Sequence, residues 1–315
     1  MKILSWLMLL GMIAAYSAFA ETTTSELMGV MGDSISAGTF ANHSAVADPS
    51  NPGTVSYDSS TTPRFSGKTV HFPSYSTLPF LGNWENENTY SWASGQDVTS
   101  HFVLLQNWLA QFSIPLTVLN VAVPGSVATD LVAQANQLAQ AMASGQYSAL
   151  EYVTVMIGAN DACTDVADAD MQTALEQTFA ILAGIQQASP IHVLVSSVPK
   201  IPDLGRTEIT NTETVGGLAC GQLRDRMLKE CPLTVWTTQD EYNQNLAAVD
   251  AKNLVLQNVV AEMPTKAPNL QVVYSSSFYD ATILPEYLAR DCFHPDQEGH
   301  NTISQRLWAD QPWFK

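Results

Sequence analysis

Leu27-Met28-Gly29-Val30-Met31-Gly32-Asp33-Ser34 is a short apolar run that stops at a glycine and two polar residues. Apolar residues without alternation predict a strand buried on both faces, and Gly-Asp-Ser predicts a turn at its carboxyl end. The same arrangement recurs along the chain. Thr117 to Val121 is a second such run, closed by Ala122-Val123-Pro124-Gly125, and Tyr152 to Ile157 is a third, ending at Gly158. His192 to Val198 and Leu270 to Tyr274 supply a fourth and a fifth. Between and after them, helical spacing of apolar residues covers Phe102 to Phe112, Val127 to Met142, Met171 to Gln187, Tyr242 to Glu262 and Asn301 to Trp308. Short apolar strands alternating with helices predict an α/β fold with a parallel sheet covered on both faces.

Two stretches interrupt this rhythm. Residues 41–100 are rich in Ser, Thr, Asn, Pro and Gly and carry Phe72, Tyr75, Phe80, Trp84, Tyr90 and Trp92, which reads as a surface insertion over the core. Residues 199–240 form a second irregular excursion containing Cys220 and Cys231. No internal repeat or linker divides the chain, so residues 21–315 are expected to form a single domain, acting as a monomer.

At the start, Lys2, the apolar run Ile3 to Ala15 and Ala18-Phe19-Ala20 before Glu21 match a cleavable secretory leader over residues 1–20. The run is too short for a membrane anchor and lacks a basic flank, so export to the periplasm or medium is expected, without stable membrane insertion. The formal charge is −17, and charged residues make up only 14% of the chain. So acidic a surface, without a stripe of Lys and Arg, is repelled by phosphate backbones, which argues against nucleic acid as a partner. Transient contact with neutral or zwitterionic lipid is compatible with that charge.

The chain has four cysteines, Cys163, Cys220, Cys231 and Cys292. In an oxidising compartment an even number points to disulfides, with three possible connectivities. CxxC and HxxxH spacings are absent, so no metal is expected. Cys163 follows one candidate functional loop and Cys292 lies inside another, so a 163–292 bridge is consistent with loops that face a common substrate, leaving 220–231 as a local loop. On one straight helix that second pair would stand about 16 Å apart, and a disulfide needs Cα atoms within about 7 Å. The segment between them is therefore expected to turn back.

The chemistry-bearing residues cluster at predicted strand ends and in the late loop Asp291-Cys292-Phe293-His294-Pro295. A carboxylate three residues before a histidine can fix the imidazole tautomer and stabilise its charged form, and Pro295 stiffens the turn. An imidazole so held can take a proton from a serine, and Ser34 is the leading candidate for that nucleophile. Its own N–H, at the start of a turn, faces any oxyanion forming on a substrate. Gly125 offers a bare N–H and Asn160, in Gly158-Ala159-Asn160-Asp161, a side-chain amide for the same charge. Asp33 and Asp161 read as supporting residues, Asp161 by bonding backbone N–H groups that hold Asn160. Ser36 reads as a turn residue, and His43, His71, His101, His192 and His300 read as structural. Each motif is weak alone.

Together, GDSI at 32–35, Gly125 after the second strand, GAND at 158–161 and DCFHP at 291–295 resemble the SGNH or GDSL hydrolases, in that family's order and over nearly all the mature chain. Ile35 stands where the family usually has Leu. The resemblance implies a flavodoxin-like three-layer sandwich with a five-stranded parallel sheet. It further implies Ser34 as nucleophile, His294 as base, Asp291 as its orienting acid, and Ser34 N–H, Gly125 N–H and Asn160 as oxyanion hole. It implies no metal or cofactor. GxSxG is absent, which argues against the α/β-hydrolases. Asn120 to Gly125, the Cys after GAND, Asp-Cys-Phe-His and Ser197-Val198-Pro199 with Ile201-Pro202-Asp203-Leu204 are similar to the phospholipase B branch. That likeness implies long acyl chains on glycerophospholipids or lysophospholipids. An acetylesterase with Trp84 and Trp92 stacked on sugar, acyl transfer to an alcohol, and a binding module that has lost catalysis are the alternatives.

Overall fold

The computed structural model describes residues 24–41, 88–213, 219–222 and 231–315. Five strands form one parallel sheet: β1 (Ser25–Gly32), β2 (Leu116–Asn120), β3 (Tyr147–Met156), β4 (Ile191–Ser196) and β5 (Leu270–Ser275), in the order β2-β1-β3-β4-β5. Parallel neighbours need a crossover, and helices supply it: α3 (Leu131–Ala143) between β2 and β3, α5 (Asp168–Ala183) between β3 and β4, and α7 (Gln239–Lys266) between β4 and β5. β1 lies inside the sheet between β2 and β3, and Leu27, Met28, Val30 and Met31 have no exposed surface, as the unalternating apolar run requires.

The two faces carry different cores. On one, α3, α5 and α7 bury Leu131, Leu138, Leu175, Phe179, Leu256 and Val259. On the other, α2 (His101–Ala110) and the last helix, α8 (Gln297–Asp310), pack Leu105, Leu109, Ile303 and Leu307 around Trp92 and Tyr152. Ser100 caps α2 by accepting from Val103 N–H, Thr238 and Glu241 form a reciprocal capping box on α7, and Asp296 accepts from Gly299 N–H to start α8.

The expected surface insertion ends as core. Of that stretch, residues 42–87 lie outside the described residues, and with them His43, His71 and Trp84. Residues 91–94 are built in: Ser91 Oγ donates to Ser36 O at 2.8 Å, and Trp92 N–H donates to His300 Nδ1 at 3.2 Å. Trp92 is fully buried beside His101, so it offers no face for sugar stacking. Sequence composition marks turn-formers but not which aromatic among them fills a hole under the sheet.

The cysteine pairing also differs from expectation. Cys163 bonds Cys231, with Cα atoms 4.5 Å apart, and Cys220 bonds Cys292 at 5.6 Å. The expected 220–231 and 163–292 pairs fail because their members sit in different apolar clusters. Cys231 packs with Cys163 against the α5 and α7 face, whereas Cys220 and Cys292 share a small cluster with Leu204, Ile209 and Leu288. The segments carrying Cys163 and Cys292 are thus each tied to the 199–240 excursion and not to one another.

Candidate active site

Every strand but β4 delivers a candidate side chain or N–H to the carboxyl edge of the sheet, where open α/β sheets place their sites. After β1 the chain passes Gly32 at φ +139°, where a Cβ would stand 2.1 Å from Met156 O, so only glycine fits. Asp33 then caps α1 (Ser34–Ala37), accepting from Ile35 N–H at 3.0 Å. Ser34 is the first helical residue, and among the described residues its N–H has no acceptor, as for any first-turn donor. After β2, Gly125 at φ +79° presents an N–H equally without an acceptor. After β3, Gly158 opens α4 (Ala159–Cys163), and Asn160 Nδ2 donates one hydrogen to Ser126 O at 2.9 Å, leaving its second free to point elsewhere.

The fourth contribution comes from the loop after β5. Asp291 Oδ1 accepts from both Phe293 N–H and His294 N–H at 3.0 Å, a nest that needs the chain to reverse within three residues. Cys292 provides the reversal at φ +56°, a left-handed conformation that costs a non-glycine residue about 1–2 kcal/mol. Asp291 Oδ2 meets His294 Nδ1, and His294 Nε2 lies 2.7 Å from Ser34 Oγ. With the carboxylate as acceptor, Nδ1 carries the proton, so Nε2 is the acceptor for the serine hydroxyl. Phe293 and Phe40 bracket the imidazole, with ring centroids 5.1 Å and 5.7 Å away. The structure therefore brings Ser34, His294 and Asp291 into one hydrogen-bonded chain. Gly125 and Asn160 stand on the loops beside it, joined through Ser126.

The supporting carboxylates are buried on the protein side of this arrangement. Burial pushes Asp33 up to about 7, with Asp161 adding to the shift while Ile35 N–H and nearby His294 oppose it. Asp161 is also raised by burial, against the pull of Ala128 N–H. Both Asp161 oxygens accept from Ala128 N–H, at 3.0 and 3.1 Å, which ties α4 to the loop after β2. Among the described residues no His, Cys, Asp and Glu side chains are grouped in a way that would hold a metal ion. Of the histidines read as structural, His101 and His300 are fully buried, and burial lowers both to about 3.

An apolar cavity adjoins the triad. Ile35, next to Ser34, and Phe293 and Pro295, on either side of His294, line it together with Ile201, Leu204 and Leu288. Arg206 Nη2 donates to Ile283 O at 2.5 Å, fixing the 199–240 excursion to the loop after β5 across this cavity. The sequence did not reveal the cavity, because its walls come from segments far apart in the chain.

A family model described as GDSL-like Lipase/Acylhydrolase matches residues 28–307. Human "Phospholipase B1, membrane-associated" is 25% identical over 214 residues, which are 61% of this chain but only 14% of that protein's length. Among solved structures, that of TesA is 14% identical with a TM-score of 0.46, covering 90% of this chain and 97% of its own. The psychrotrophic esterase EstA from Pseudoalteromonas is 10% identical with a TM-score of 0.44, covering 90% and 96%.

Proposed function

The chain belongs to the GDSL-like lipase/acylhydrolase family and is a carboxylic ester hydrolase, and from that premise we propose that it is a secreted lipase or lysophospholipase working through an acyl-Ser34 intermediate. The observation that carries the catalytic assignment is the 2.7 Å hydrogen bond from Ser34 Oγ to His294 Nε2, with Asp291 on the other ring nitrogen. His294 takes the Ser34 proton as Oγ attacks the ester carbonyl. The negative charge formed on the carbonyl oxygen is met by Ser34 N–H, Gly125 N–H and the second Asn160 hydrogen. Collapse expels the alcohol, which takes the proton from His294. Water then attacks the acyl carbon as it gives a proton to the same nitrogen, and the acid leaves as Ser34 Oγ takes that proton back.

The apolar cavity beside Ser34 favours a medium or long acyl chain over acetate, since a methyl group would leave most of that apolar surface unsatisfied. The likeness to a protein named phospholipase B1 points the same way. Trp92, buried, gives the acetyl-polysaccharide reading no support. Export is part of the proposal and rests on the leader pattern and on two disulfides, which persist in oxidising compartments. Among the described residues no helix is long and apolar enough to cross a membrane.

The test is hydrolysis of a p-nitrophenyl ester series from acetate to palmitate, followed by lysophospholipids, with wild type and Ser34→Ala. Activity rising with chain length and lost in the variant is expected. Activity confined to acetate would overturn the lipase reading, and near-normal turnover by Ser34→Ala would overturn the nucleophile.

A further inference from the structure

Gln134 lies in the first turn of α3, 2% exposed, and uses its side-chain amide within the protein. Its Oε1 accepts from Gly32 N–H at 2.7 Å, and its Nε2 donates to Gly32 O at 2.9 Å and to Ser126 Oγ at 3.2 Å. Gly32 is two residues before Ser34, and Ser126 directly follows Gly125. Ser126 O in turn accepts from Asn160 Nδ2. One buried amide thus connects the loops that present all three oxyanion donors, and among the described residues no other side chain hydrogen-bonds to both Gly32 and Ser126. The amide orientation is set by Gly32 N–H, which requires an acceptor; Gly32 O also accepts from Val123 N–H at 3.1 Å, a backbone bond that the side-chain clamp reinforces.

We infer that Gln134 is a positioning residue for the oxyanion hole, setting the spacing between the Ser34 N–H and the Gly125 N–H. The inference rests on the ester-hydrolase reading of this site. Donors aimed at a developing charge act only when held in place beforehand, and a misplacement of about 1 Å can cost around 10²-fold in rate. The effect belongs on kcat more than KM, because the hole meets the transition state more strongly than the bound ester.

A matched control exists in the same molecule. Gln187 makes the same two-point clamp on Leu150, accepting from its N–H at 2.9 Å and donating to its O at 3.1 Å, toward the opposite end of β3. Gln134→Met and Gln187→Met remove equivalent bonds with little change of volume. Gln134→Met is expected to lower kcat about 10- to 100-fold on a p-nitrophenyl ester with KM within about 3-fold, by misplacing the donors as above. Gln187→Met should lower Tm but keep kcat. Gln134→Glu adds a readout that a purely structural role would not move. Ionised, Glu can only accept from Gly32 N–H; protonated, it also donates to Gly32 O. Its kcat relative to wild type should therefore climb as pH falls, with folded fraction monitored by circular dichroism at each pH. A folded Gln134→Met with kcat within about 2-fold of wild type, or a pH-independent ratio for Gln134→Glu, overturns the inference. Ser34→Ala in parallel separates the two levels: if it stays active the hydrolase reading itself fails, whereas an inactive Ser34→Ala beside an unaffected Gln134→Met sinks only the role of Gln134.

Discussion

The two ends of the sheet hold comparable sets of ionisable groups and do different things with them. At the carboxyl end, Asp33, Asp161, Asp291 and His294 are gathered about Ser34; the amino end holds Glu26, Glu151 and His192, whose ring packs on Trp313. Both ends contain a carboxylate driven to about 7 by burial, Asp33 at one and Glu26 at the other, the latter with Glu151 as second cause. Both contain a histidine near a carboxylate, since His192 Nδ1 is 3.4 Å from Glu151 Oε1. What the amino end lacks, among the described residues, is a hydroxyl on the far ring nitrogen of its histidine. A perturbed carboxylate and a paired histidine are therefore not a site by themselves. Parallel strands lead into turns and helix starts at the carboxyl edge, and those supply the serine and the N–H groups that the proposed mechanism uses.

That contrast can be broken most severely at the histidines. His294→Ala is expected to lower kcat by roughly 10⁴- to 10⁶-fold, as for other residues acting as a unit with a serine nucleophile, while His192→Ala leaves turnover within about 2-fold. Comparable losses from both, at equal folded fraction, would erase the distinction. Next in size is Asn160→Ala, which removes one oxyanion donor and should cost about 10²- to 10³-fold in kcat, with binding of unreactive substrate analogues little changed.

The disulfides sharpen the comparison because both bind the carboxyl-end loops. Mapping of non-reduced peptides should find Cys163 with Cys231 and Cys220 with Cys292. Cys220→Ser paired with Cys292→Ser should lower stability by about 2–5 kcal/mol in a denaturant titration. Activity should fall further than folded fraction, since the bridge holds Cys292, the left-handed residue between Asp291 and His294.

The smallest effect is at the amino end. Glu26 is raised in the folded state, so it binds a proton that the unfolded chain has already released. Its contribution is fully present below about pH 4.5 and lost as pH climbs through about 7. Glu26→Gln should therefore raise Tm relative to wild type at about pH 8 and give no gain at about pH 4. A gain independent of pH would assign the effect to packing.

The strands and helices were readable from local pattern, and with modest boundary shifts: α7 extends over Gln239–Lys266 where apolar spacing marks Tyr242 to Glu262. Its extra first turn follows from the Thr238–Glu241 box, a signal present in the sequence. Ser34, Asp291 and His294 were legible because their motifs are local, five residues or fewer in span. Gln134 had a fainter signal. It falls on the same helical face as Leu131, Ala135 and Leu138, a polar residue where burial predicts an apolar one, and such an exception asks for a partner. Nothing nearby identified Gly32 as that partner, 102 residues away.

By itself the sequence determined the alternation of strands and helices, the glycines at strand ends and the chemistry of each turn. These depend on backbone preferences and on side chains within a few residues of one another. Only the tertiary structure decided which cysteines pair across separations of 68 and 72 residues, that Trp92 fills the core, and that segments from both ends of the chain close an apolar cavity beside Ser34. Those outcomes are set by which surfaces exclude water together, a property of the packed layers that no window along the chain contains.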